Sequence, residues 1–223
     1  TFIATYNAIL DRRALPVFAY TDPATLTMDP GTIESRITER TRAILPVHIY
    51  GLPCDMDKVM SIAKRHDLRV IEDCCQAHDA EYKGRKVGTI GDIGCYSLNG
   101  SKNLSGGEGG LLVTDDDGLY REAARVWQFG EERREDGRRE YNAYGMGWMY
   151  RTQEMPCAFA RSQLKRLDHY NENGARNGEY LTRELSKIKG LRPPICPPDR
   201  THIYHKYRVR LVPEELGVRL PAT

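Results

Sequence analysis

The sequence holds no C-x-x-C pair, its six cysteines standing at 54, 74, 75, 95, 157 and 196. That spacing weakens a zinc or thioredoxin-like reading. With no signal peptide in view, a reducing, cytoplasmic setting with free thiols is expected. No apolar run is long enough to span a bilayer. There is no surplus of one charge either: 33 basic against 31 acidic side chains leave +2, so no global field favours nucleic acid or a membrane surface. Repeats and low-complexity tracts are absent. The glycine-rich stretch GSKNLSGGEGG (100–110) lacks the Gly-Lys-Ser/Thr order of a P-loop. An initiating Met is missing too, and Thr1 stands in what reads as mid-pattern. The chain is expected to be a piece of a longer protein, inactive alone.

What is present is a globular composition, 40% hydrophobic and 29% charged over 223 residues, long enough to bury a core. Residues 131–140, EERREDGRRE, mix both signs and read as a solvated, mobile loop.

Strand and helix signals alternate. A helical pattern over 4–14 precedes a short apolar strand at 15–19. Asp29 before Pro30 signals a helix start, with Ile33 and Ile37 a turn apart. A buried strand over 43–49 leads to Asp55, which caps a helix with Met56, Val59, Met60 and Ala63 on one face. A strand over 68–71 follows. This β-α-β-α-β order argues for a mostly parallel sheet covered by helices. Beyond it come a strand at 111–114 and a helix opened by the acids at 115–117, carrying Leu119, Ala123 and Val126. A long helical region then carries Ala160, Leu164 and Leu167, and later Leu181, Leu185 and Ile188, with a kink or break at 171–174. Four prolines between 193 and 198 end it, and alternating residues 205–212 read as a strand opening a second domain.

The chain is organised around residues 71–110. Asp73, just past Val70 and Ile71, sits at the carboxyl end of a buried strand, where open α/β sheets collect ligands. Lys102, among Gly100, Ser101, Ser105, Gly106 and Gly107, leaves room for a planar group near the backbone. Each residue alone has an ordinary reading. Asp73 is then a strand-end cap, Lys102 a solvated loop lysine and Phe2 a packing residue, while Gln76 and Ser97 carry no signal. Glu72, Asp73, Cys74, Cys75 and His78 are metal-ligating in type. Neighbours in an extended strand face opposite ways, however, and no metal is expected.

Three pieces give the combination its meaning: PVHIYG (46–51), VIEDCCQAHDAEYKGRKVG (70–88) and GDIGCYSLNGSKNLSGGEGGLLVTDD (91–116). Their order and spacing resemble the DegT/DnrJ/EryC1/StrS aminotransferases, pyridoxal-phosphate (PLP) enzymes of the aspartate-aminotransferase fold type. A looser resemblance runs from residue 1 to about 188. It implies an α/β fold: a three-layer PLP-transferase large domain with a mostly parallel sheet over 1–150, its N-terminal part missing. A long helical connection over 151–192 and the start of a smaller C-terminal α+β domain over 193–223 complete the expectation.

The resemblance also implies roles. PLP is an electron sink whose ring nitrogen must stay protonated, and Asp73 matches its anionic partner. Lys102 matches the Schiff-base lysine, whose released amine moves a proton and must be neutral to do so. Ser97 matches the hydroxyl on the phosphate, Gln76 the amide on the phenolic oxygen, and Phe2 the aromatic stacked on the ring. A Gly-Thr-Ala-like phosphate turn would precede Thr1. A homodimer with sites at the subunit interface is implied as well, and the aromatic stretch 141–150 would leave an apolar patch on a monomer.

One departure stands out. Many members carry Asn-Tyr-Arg where this sequence has Met149-Tyr150-Arg151 after Trp148, and a thioether cannot donate to a phosphate. The run YGMGWMYRTQEMPCAFARSQLKRLDHYN (144–171) resembles the branch acting on scyllo-inosose and 2-deoxy-scyllo-inosose in aminoglycoside biosynthesis. That branch takes its amino group from L-glutamine. A nucleotide-sugar (keto-sugar) aminotransferase and a non-catalytic relative serving as a binding module are the alternatives. A dehydratase of the family would carry His at the lysine position, so Lys102 speaks against it.

Overall fold

The computed structural model describes residues 2–133, 136 and 138–217. Parts of the charged stretch (134, 135, 137) and the end of the expected second domain (218–223) therefore lie outside the described residues. The chain opens with α1 (Ile3–Asp11) and, after two single 3-10 turns at Pro30–Thr32 and Glu34–Arg36, reaches β1 (Ala43–Ile44). Then come α2 (Met56–Arg65), β2 (Arg69–Asp73), β3 (Glu81–Tyr82), β4 (Arg85–Lys86), β5 (Ile93–Ser97) and β6 (Gly110–Val113). The rest comprises α3 (Asp117–Trp127), β7 (Glu131–Arg133), β8 (Arg139–Ala143), α4 (Glu154–Leu164), α5 (Leu167–Leu185), β9 (Leu191–Arg192), β10 (Arg210–Leu211) and α6 (Pro213–Leu216).

The central sheet has the order β1-β2-β5-β6. β1, β2 and β5 run parallel, with Asp73 opposite Cys95, and β6 closes the edge antiparallel. The fold is thus α/β with a mostly parallel sheet. Val70, Glu72 and Cys74 share one face of β2, as the two-residue period requires, and all are buried. α2 covers that face: Asp55 accepts from Lys58 N–H at its N-terminus, and Met56, Val59, Ile62 and Ala63 are buried. Ile62 joins that apolar face, and the half-buried Met60 packs against the same core. Ile203, from far along the chain, lies in the same core.

Several local expectations are corrected. Residues 15–19 form no strand and pair with none among the described residues, and Leu15, Val17 and Phe18 are exposed; β propensity needs a partner edge to act on. Asp29 accepts from Gly31 N–H and starts only a single 3-10 turn. The strand expected over 43–49 is two residues long plus a lone bridge from Val47 to Asp73, because Pro46 interrupts the donors and Tyr50 turns the chain at φ 58°. The stretch 131–140 is no simple loop. β7 and β8 pair antiparallel, and the nearly buried Glu131 accepts from Arg139 and Gln128.

The helical region breaks between α4 and α5, not at 171–174. Asn171 is buried within α5, and Gly178 lies where a Cβ would come within 2.6 Å of the Tyr204 ring. Small residues there admit residues 202–205 against the helix rather than bending it. The strand expected over 205–212 shrinks to β10, paired with β9. Residues 199–206 instead return to the first body: Lys83 N–H donates to Asp199 O, Thr201 N–H to Glu81 O, and Ile203 N–H to Gly51 O.

Candidate active site

Two adjacent acids leave β2 on opposite faces and meet different fates. Glu72 is fully buried and accepts from Gly88, Ile90 and Gly91 N–H (2.8, 2.8 and 2.6 Å) and from His48 Nε2 at 3.0 Å. Burial alone would raise its carboxyl; the imidazole and the backbone donors bring it below the ordinary value. His48 Nδ1 accepts from Cys54 N–H, so its Nε2 carries a proton toward Glu72. Asp73 is half-buried on the other face, where Thr5 Oγ1 donates to Oδ2 at 2.6 Å and Cys75 N–H to Oδ1 at 3.0 Å. Its backbone is pinned as well, accepting from His48 N–H and donating to Pro46 O.

Phe2 is the N-cap of α1, one turn before Thr5, and is 66% exposed with no ring partner among the described residues. The Thr5 bond thus brings the helix end bearing Phe2 to the Asp73 side of the sheet. Gln76, in the turn after β2, accepts from Tyr50 N–H through Oε1 at 2.8 Å, which commits its carbonyl end and leaves the NH2 as a donor. Ser97 ends β5; its Oγ accepts from Asn99 N–H at 3.2 Å, so its own O–H remains to donate. Lys102 is half-buried in a turn closed by its N–H on Asn99 O. Asp73, Gln76 and Ser97 therefore collect at the carboxyl ends of adjacent parallel strands, with the Lys102 turn directly after them.

Other residues join this neighbourhood that sequence reasoning did not single out as site residues. His78, 2% exposed, has Nε2 on Ser97 O at 2.8 Å and no partner for Nδ1. Burial pushes its imidazole down to about 4, and the Lys102 charge adds to the effect. His205 is likewise brought to about 4 by burial, with Lys102, Lys206 and His78 contributing. Burial raises the Cys95 thiol to about 11, and with Asp73 it raises Cys75 further still. From sequence His78 is only metal-ligating in type, and its spacing gives no pointer to this site. His205 is too distant in sequence to have given one.

The donor set fits a phosphorylated pyridine aldehyde: a carboxylate for a protonated ring nitrogen, an amide NH2 for an anionic oxygen, a hydroxyl for a phosphate, and a primary amine. A Cβ at Gly107 would meet nothing within 4 Å, and one at Gly100 only Gly107 O at 3.7 Å, so space is open beside Lys102. Ligand atoms of His48, Glu72 and Cys74 converge within 4.8 Å, a grouping different from the five residues weighed from sequence. Both His48 nitrogens and both Glu72 oxygens already hold hydrogen bonds, so this reads as an internal brace. Met149 is exposed and bridges Gln128. Two surface depressions, one beside Pro23 and Ile195 and one between Asn7 and Trp148, are lined by none of the five candidates. No helix among the described residues is long and apolar enough to cross a membrane.

The profile of the DegT/DnrJ/EryC1/StrS aminotransferase family matches residues 1–219. The L-glutamine:scyllo-inosose aminotransferase of Streptomyces griseus is 39% identical over 224 residues, covering 98% of this chain and 53% of that protein. The UDP-N-acetyl-3-dehydro-alpha-D-glucosamine 3-aminotransferase of Acidithiobacillus ferrooxidans is also 39% identical, over 212 residues, covering 95% of this chain and 56% of that protein. Among solved structures, S. venezuelae DesV superposes with a TM-score of 0.88 at 35% identity, covering 95% of this chain and 56% of that one. The chain spans about half the length of the curated relatives it matches.

Proposed function

The chain belongs to the DegT/DnrJ/EryC1/StrS aminotransferase family of PLP-dependent enzymes, and on that premise we propose that Lys102, Asp73, Gln76, Ser97 and Phe2 form its PLP site. The observation that carries the proposal is the gathering of Asp73, Gln76 and Ser97 at the ends of β2 and β5, beside the Lys102 turn. When bound, PLP supplies an electron sink for a carbanion next to the substrate nitrogen. Asp73, oriented by Thr5 and Cys75 N–H, holds a proton on the ring nitrogen. The Gln76 NH2 donates to the phenolic oxygen, the Ser97 O–H to the phosphate, and Phe2 covers the ring. Lys102 Nζ would hold the cofactor and would supply the amine that moves a proton to and from the substrate carbon.

In the full-length protein this chemistry transfers an amino group from L-glutamine to a keto-cyclitol, scyllo-inosose or 2-deoxy-scyllo-inosose, in aminocyclitol and aminoglycoside biosynthesis. Support comes from the S. griseus relative and from the sequence of residues 144–171. A second reading, amination of a nucleotide-linked keto-sugar, is favoured by the equal identity of the A. ferrooxidans protein. Full-length enzyme given L-glutamine with either scyllo-inosose or the UDP-linked 3-keto sugar decides between them. Turnover of only the nucleotide sugar overturns the cyclitol assignment. A non-catalytic relative would show no cofactor absorbance band that borohydride removes.

The functional unit is a homodimer, and the exposed Tyr141, Tyr144, Met146, Trp148 and Tyr150 are where a second copy would cover apolar surface. We assign residues 1–150 to the PLP-binding domain, 151–192 to the helical connection and 193–223 to the start of the smaller domain, of which residues 199–206 pack back onto the first. All six cysteines are free, in keeping with a cytoplasmic setting.

A further inference from the structure

A chain of hydrogen bonds runs from the backbone of one segment to the tautomer of a histidine in another, passing the residue next to Lys102. It begins at His78 O, which can only accept, so Asn171 turns its Nδ2 there at 2.9 Å. The Asn171 Oδ1 therefore faces Asn103 and takes its Nδ2 at 3.0 Å. Asn103 in turn presents Oδ1 to His205 Nδ1 at 3.0 Å, and an oxygen facing that nitrogen requires it to carry the hydrogen. Each amide has one orientation that satisfies its neighbours. The imidazole of His205 is thereby held as the Nδ1–H form, leaving Nε2 as its acceptor.

Four separate segments meet in this relay: the turn after β2, the lysine turn, the second turn of α5 and the segment after residue 199. Asn171 is buried, while Asn103 and His205 are half-buried. The bonds are thus shielded from the solvent that weakens such pairs at a surface. The Lys102 charge lowers the imidazoles of both His205 and His78, which puts all three groups in one electrostatic neighbourhood. No other side-chain hydrogen bond among the described residues reaches across from a distant segment to residues 101–104, apart from these two on Asn103.

We infer that His205 is a positioning residue for Lys102, acting through Asn103: its Nδ1–H locks the Asn103 amide and so fixes the half-buried turn from which the lysine projects. The inference rests on the assignment of Lys102 as the reactive lysine, yet its test reads that side chain directly. In the full-length protein freed of cofactor, pulse acetylation with acetic anhydride and peptide mass spectrometry give the labelling rate of Lys102 relative to Lys64, an exposed lysine in the last turn of α2. His205→Ala should raise that ratio about fivefold, the factor corresponding to the net contribution of one hydrogen bond. Asn103→Ala should raise it equally, and the double variant no further.

His205→Asn should restore the original ratio, because its amide nitrogen can stand in for Nδ1–H. A merely structural loss would lower the melting temperature of the Ala and Asn variants alike, without this rescue. An unchanged ratio in His205→Ala, or an additive double variant, would overturn the inference. Failure of the cofactor assignment would show up separately, as a borohydride-trapped adduct on a different lysine.

Discussion

Thr5 Oγ1 donates to Asp73 Oδ2 at 2.6 Å, across 68 positions of sequence. The hydroxyl fixes one carboxylate oxygen on the side where α1 approaches the sheet. A hydrogen bond to a charged group contributes about 1.5–3 kcal/mol. Thr5→Val, which keeps the shape and loses the donor, should lower kcat roughly tenfold or more. Thr5→Ser should stay close to the parent, and steady-state kinetics on the full-length enzyme distinguish the two.

Lys102→Ala should leave reversible cofactor binding but abolish covalent trapping and nearly all transamination. Borohydride reduction followed by peptide mass spectrometry should place the pyridoxyl group on Lys102 in the parent. Asp73→Ala should keep the covalent attachment yet lose about a thousandfold in rate, since a neutral ring is a poor electron sink.

Folding stability should fall on mild acidification. Burial brings the imidazoles of His78 and His202 to about 4, against roughly 6.5 in an unfolded chain. Both are bases kept neutral by the fold, so unfolding takes up a proton on each between those values. The contribution is complete above the unfolded value and shrinks as pH drops toward the folded one, by up to about 1.4 kcal/mol per pH unit for each group. Urea titrations at about pH 7 and about pH 5 should show this loss, and His202→Asn should flatten it.

Gly178→Ala should destabilise even though alanine favours helices by about 1 kcal/mol. Its Cβ would meet three atoms of the Tyr204 ring at 2.6 Å, and overpacking of this kind costs about 1–3 kcal/mol. Removing the ring in Gly178→Ala with Tyr204→Ala should relieve that part of the loss in urea unfolding.

The parts legible in the sequence are those whose cause is local. Asp55 ahead of an apolar face marked α2, and the acids after Val70 and Ile71 marked the end of β2, because caps and periodicity act within a turn or two. Residues 15–19 misled since a strand is defined by its neighbour, which the segment itself does not encode. The glycine and asparagine cluster at 171–174 looked like a breaker, whereas Gly174 leaves room for Ile203 O and the Asn171 amide serves His78 O. The charged run hid a pair of antiparallel strands, β7 and β8, with Glu131 paired to Arg139. Asp73, Gln76, Ser97 and Lys102 stood out through motif order within 73–102, while Thr5 and His205 joined that neighbourhood only by folding.

The return of residues 199–206 to the first body bears on the order of events during synthesis. Ile203 fills the same core as Ile33, Val59 and Val70, and Thr201 Oγ1 accepts from Glu81 N–H across 120 positions. Closing so long a loop comes late, after nearer contacts have formed. The β2 end and the lysine turn leave the ribosome well before the segment that completes their surroundings. A nascent chain stalled short of about residue 206 should therefore leave exposed the part of the core that Ile203 covers and bind chaperones, and it should gain protease resistance abruptly once that segment emerges.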